Sequence, residues 1–113
     1  MISKKLLSEV LGLNVLAFEK ELNCEVYYLF DESCGNLISR EAKINIYELA
    51  NLCKEWIANK YPRFSIKWDI GYVKGTNEVV KVWLYDKCIG QNRQEHKAIF
   101  QACEWILNEL KGD

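Results

Sequence analysis

Phe64-Ser65-Ile66-Lys67-Trp68-Asp69-Ile70-Gly71-Tyr72 decides the fold class, because every second residue in it is apolar. Strict alternation over nine positions marks a half-buried strand, whose successive side chains point to opposite faces of a sheet. Lys74-Gly75-Thr76-Asn77 supplies the turn. The return strand then sends Val80, Val82 and Leu84 inward and Val79, Lys81, Trp83 and Tyr85 outward. Immediately upstream the period changes. Leu49, Leu52, Cys53, Trp56 and Ile57 recur at i, i+3, i+4, i+7 and i+8, which gathers them on one face of a helix. Asn45 and Glu48 form a capping-box-like pair at its start, and Ile44 and Leu49 stand where a hydrophobic staple needs them. Pro62 ends the helix by restricting Tyr61 and offering no N–H.

Working outward, Ser3 caps a short N-terminal helix with Leu6, Leu7, Val10 and Leu11 as its stripe and Gly12 as its stop. Asn14 to Glu21 reads as a strand, and Glu25 to Asp31 as a stronger one, rich in β-forming residues. A polar turn from Asp31 to Asn36 leads to a third strand from Leu37 to about Lys43. Downstream, Lys87 to Gln91 reads as a loop before a last helix opened by Asn92 and Glu95. Ile99, Ala102, Cys103, Ile106 and Leu110 form that helix's core stripe, flanked by Phe100 and Trp105. The order is therefore a short helix, strand-strand-strand-helix, and strand-strand-helix. This predicts a single α+β domain over residues 1–113: an antiparallel sheet of about four to five strands with both long helices on one face. An α/β/α sandwich is the alternative. The spacing of Cys53 and Cys103 suggests repeated architecture, but Trp56 follows its cysteine by three residues and Trp105 by two, so the sequence itself does not repeat.

Composition limits function. The 113 residues are 50% apolar with 15 basic against 16 acidic side chains, which excludes disorder and a chain-wide polybasic nucleic-acid binder. The longest apolar run, Val26 to Phe30, is far short of the about 20 residues a membrane helix needs, and the N-terminus has no signal-peptide stretch. A cytoplasmic location without membrane attachment is the expectation. Five cysteines at wide spacings, with no Cys-x-x-Cys pair, signal neither a disulfide framework nor a zinc site. The charge is uneven. Five carboxylates between Glu19 and Glu32 face one lysine, whereas residues 60 to 97 hold eight basic against four acidic groups.

Catalytic parts are scarce. His96 is the only histidine and falls in the first turn of the last helix. A nucleophilic reading would pair it with Cys88 or Cys34, but no orienting group or oxyanion element accompanies them. The plainer reading of His96 is an exposed polar residue. Cys53 and Cys103 read as small core residues, and Cys24 as a residue near a strand start. No phosphate-cradling glycine loop or Gly-x-Ser-x-Gly occurs. Together these predict a protein that is not an enzyme, with no cofactor and no metal site.

The outer face of the second hairpin is the constellation that asks for a function. Trp83 and Tyr85 project there with Lys81, and Lys67 and Asp69 join from the neighbouring strand. Aromatics flanked by lysines on an open sheet suit a protein partner or self-association, with Trp and Tyr as anchors. They also suit stacking of single-stranded nucleic acid or a nucleotide, the less favoured reading. The plain reading, weighed above either, is internal packing with the N-terminal helix or the first strand covering this face.

Three segments carry a resemblance: Ile2 to Gly12, Ile44-Asn45-Ile46-Tyr47-Glu48-Leu49-Ala50 into Cys53-Lys54-Glu55-Trp56, and Ala98 to Leu107. Together, over roughly a third of the chain, they resemble a group of small bacteriophage and prophage proteins of unknown function. That group is similar in turn to small phage domains described as α/β/α sandwiches. The resemblance implies an origin and a fold but no reaction, since the shared residues are caps and core stripes. The resulting expectation is a phage- or prophage-derived cytoplasmic protein that binds a protein, as an accessory or modulator, for example an inhibitor of a host defence complex.

Overall fold

The computed structural model describes residues 2–19, 23–31, 39–70 and 78–111, with the side chains of residues 67–70, 78, 110 and 111 outside that description. Its elements are α1 (Lys4–Leu11), β1 (Asn14–Phe18), β2 (Glu25–Asp31), β3 (Ser39–Asn45), α2 (Ile46–Lys60), β4 (Phe64–Ile70), β5 (Glu78–Leu84), β6 (Lys87–Asn92) and α3 (Glu95–Lys111). The chain is α+β, as the periodicities require. The sheet is not single. β1-β2-β3 and β4-β5-β6 form two separate three-stranded antiparallel sheets, in place of one sheet of four to five strands or a sandwich built on one. The reason is β6. Lys87 to Gln91, read as a loop, pairs along β5 and completes a second meander. The Lys74–Asn77 turn and Leu37 and Asn36 of the first loop lie outside the described residues.

Caps hold the ends as their sequences dictate. Ser3 Oγ accepts from Leu6 N–H at 3.1 Å, and Gly12 closes α1 at φ +67° with its N–H on the Ser8 carbonyl. Ser8 Oγ also accepts from Val15 N–H at 3.2 Å, which ties α1 to β1. Asn45 Oδ1 accepts from Tyr47 N–H at 2.9 Å. The first N–H of α2, on Ile46, donates to the Cys24 carbonyl at 2.9 Å. Asn23 and Cys24 both adopt left-handed backbone there, at φ +53° and +64°. At α3, Asn92 Oδ1 accepts from Gln94 N–H at 3.1 Å.

The two sheets are covered differently. On the second, Val80, Val82 and Leu84 of β5 and Ile89 of β6 are buried against Ala98, Ile99 and Ala102 of α3. Gly90 allows that approach. A Cβ there would collide with the Ala98 carbonyl oxygen and stand 3.0 Å from Ala102 N and 3.2 Å from its Cβ. A bulge opposite Val82 and Trp83 places Ile89 as the extra residue of β6. On the first sheet Val15, Val26 and Ile44 are buried, but Tyr28 and Phe30, on the same face of β2 as Val26, are only half-buried. The helices meet over Cys53 and Cys103, both fully buried, with the Cys103 thiol 3.9 Å from the Cys53 carbonyl. Burial and the hydrogen-bonding contact with Cys53 push the Cys103 thiol pKa well above the ordinary thiol range, the contact being the larger cause. Ser3 N–H donates to Glu104 Oε1 at 2.8 Å, pinning the N-terminal segment across α3.

Candidate functional site

The outer face of the second sheet is the first place to look. Register puts Ser65, Trp83 and Cys88 side by side across β4, β5 and β6, and the backbones of Lys67, Lys81 and Gln91 in the next row. Asp69 lies opposite Val79. The side chains of Lys67 and Asp69 lie outside the described residues. Trp83 and Lys81 are half-buried, and the Trp83 ring nitrogen is buried. Among the described residues α1 packs chiefly on β1, α2 and α3, whereas the main neighbours of β5 are β4, β6 and α3.

Tyr85 differs from the expectation in an informative way. β5 ends at Leu84, which pairs with Lys87, so Tyr85 and Asp86 are the two residues of a tight turn. Tyr85 sits at φ +58°, and its side chain is 62% exposed, the most exposed of the large apolar residues described. Glycine or asparagine takes such a position without strain, whereas a tyrosine there costs on the order of 1–2 kcal/mol. Next to the turn, Lys87 Nζ lies 4.7 Å from the centre of the Trp105 ring. Tyr-Asp lacks the glycine or asparagine that marks most two-residue hairpin turns, which leaves the aspartate as the only turn signal in the sequence.

A second site was not foreseen. The first sheet, the start of α2 and the start of α3 enclose a cleft of about 410 Å³. Its apolar walls are Ile2, Phe18, Val26, Ile46 and Phe100, and its polar groups are Glu19, Asn92, His96, Lys97 and Gln101. No protein-family model, curated protein or solved structure matches the chain. The reading of both sites therefore rests on their geometry.

His96 is not the exposed residue the sequence suggested. It is 7% exposed, because its ring packs edge-on against Tyr47 at 5.3 Å and Phe100 at 5.9 Å between centroids. The signal was available: Phe100 stands one turn after His96 on the same helical face. Cys88, half-buried, donates its thiol hydrogen to the Gly90 carbonyl at 3.4 Å and is not among the residues lining the cleft beside His96. Cys34 lies outside the described residues. Among the described residues no group of three His, Cys, Asp or Glu side chains is placed to hold a metal ion, and no helix is long and apolar enough to cross a membrane.

Proposed function

We propose that this chain is a small non-enzymatic protein-binding module of phage or prophage origin, acting on a host protein through the outer face of β4-β5-β6 and the Tyr85 turn. The observation that carries the reading is Tyr85, a 62% exposed aromatic in left-handed backbone at the tip of a hairpin. Selection for stability alone would place glycine or asparagine there; a displayed tyrosine suits an interface anchor instead. Trp83 extends the apolar surface from the turn onto the sheet, and Lys81 on the same strand adds a basic group. The partner that fits offers an apolar pocket with acidic surroundings. The origin rests on the three segments that resemble phage proteins, and the non-enzymatic reading on the lack of a recognisable catalytic motif.

Affinity capture from host lysate tests this with the wild type, Tyr85→Asn and Trp83→Ala side by side. The expected outcome is one host protein recovered by the wild type and lost with both folded variants. Identical recovery by all three overturns the reading. The in-register pairing of Lys67 with Lys81 favours single-stranded nucleic acid as the second reading. A steep salt dependence of binding to labelled single strands would support it, and no binding at low salt would end it.

A further inference from the structure

We propose that the cleft between the first sheet and α3 binds a free α-amino acid with a bulky apolar side chain. At about 410 Å³ it falls within the roughly 300–1,000 Å³ of small-molecule sites. Its character is that of such a site too: mostly apolar walls with a few polar groups. The polar groups are divided between its walls. Among the described residues of the lining, Glu19, which follows β1, is the acidic group and Lys97 on α3 the ammonium. Both side chains are exposed, and among the described residues neither is in a salt bridge.

The amides decide which end of a ligand goes where. Asn92 Oδ1 accepts from Gln94 N–H and Gln101 Oε1 from Gln91 N–H, the latter at 3.0 Å. Each oxygen already accepts one backbone N–H and keeps one lone pair, while each NH₂ group keeps both of its donors, so the amides offer mainly donors. These two amides and Lys97 make one wall donor-rich, which suits a carboxylate. Glu19 offers the acceptor that an ammonium needs. Phe18, Val26, Ile46 and Phe100 line the space a large side chain would occupy, and His96, itself part of the lining, packs its ring edge-on against Phe100. A zwitterion with a bulky apolar side chain uses both charges and the apolar walls together. A purely apolar ligand would leave both charges unused.

Isothermal titration with L-phenylalanine and L-leucine tests this, with N-acetyl-L-phenylalanine and L-phenylalaninamide as blocked forms. The expected result is saturable binding of the free amino acids, weakened at least tenfold by either blocking group. Lys97→Gln should then bind the amide no worse than the free acid, and Glu19→Gln should bind the acetylated form no worse than the free amine. Absence of saturable binding by either amino acid at millimolar concentration overturns the proposal. So does binding that acetylation or amidation weakens less than threefold, which would show an apolar pocket or a peptide terminus as the true ligand.

Discussion

The two sheets of this molecule have the same three-stranded meander followed by a helix, yet they are covered to different depths. β4-β5-β6 lies against α3 so closely that a glycine is needed at the contact, and Val80 and Val82 are fully buried. β1-β2-β3 meets α2 mainly along β3, and its Tyr28 and Phe30 stay half-open with ring centroids 5.7 Å apart. The difference separates two tasks. The tightly packed half carries Tyr85 in an unfavourable backbone conformation at its hairpin tip. The loosely covered half leaves room beside α3, and that room is the cleft.

The largest effect should come from the contact that sets the halves apart. Gly90→Val places side-chain atoms where the Ala98 carbonyl already stands, and should cost about 3 kcal/mol or more in urea unfolding. Ala42→Val, on the half-buried inner face beside Phe18 and Tyr28, should change stability by less than about 1 kcal/mol. Equal losses at the two positions would erase the distinction.

Much of this distinction is absent from the sequence for identifiable reasons. The caps at Ser3, Gly12 and Asn45 and the stripes of α2 and α3 are local signals, and the structure follows them. β6 was hidden because Lys87-Cys88-Ile89-Gly90-Gln91-Asn92 has a glycine, polar ends and a bulge in place of alternation. Its strand identity comes from pairing with β5 and from the room Gly90 gives α3, both tertiary effects. This strand gives the second sheet its third member, and among the described residues no strand of one sheet pairs with a strand of the other. Trp83 was placed on the correct face by period 2, but extending the same period to Tyr85 ran past the end of the strand. The cleft had no local signal, since Glu19 and Lys97 are 78 positions apart in sequence.

Burial should also separate the cysteines. With its pKa raised by the Cys53 contact and by desolvation, the Cys103 thiol stays protonated in the folded chain above the ordinary thiol value of 9.0. Cys53 and Cys103 should resist a thiol reagent at pH 8 by more than a hundredfold relative to the half-buried Cys24 and Cys88, as read by peptide mass spectrometry. Because the folded value exceeds the unfolded one, the stabilising effect is complete below pH 9.0 and is lost as pH rises beyond it. Tyr28 contributes in the same direction above its ordinary 10.0, raised first by burial and then by Glu48. Stability measured from pH 8 to 11 should therefore fall, and Cys103→Val should flatten the decline more than Tyr28→Phe.

The smallest effect belongs to the ion pair that spans α2 and α3. Lys54 Nζ and Glu95 Oε1 are 2.7 Å apart, but both side chains are about a third exposed. Lys54→Ala should cost no more than about 0.5 kcal/mol, and less in high salt. A larger loss would mean that the helices depend on this pair and not on the core around Cys53 and Cys103.

The central claim is that Tyr85 is displayed at the expense of stability, and urea unfolding of Tyr85→Asn tests it most directly. Asparagine accepts left-handed backbone far more readily than tyrosine, so the variant should be more stable than the wild type by about 1 kcal/mol. An unchanged or lower unfolding midpoint would show that the tyrosine is held by packing, and would contradict the account.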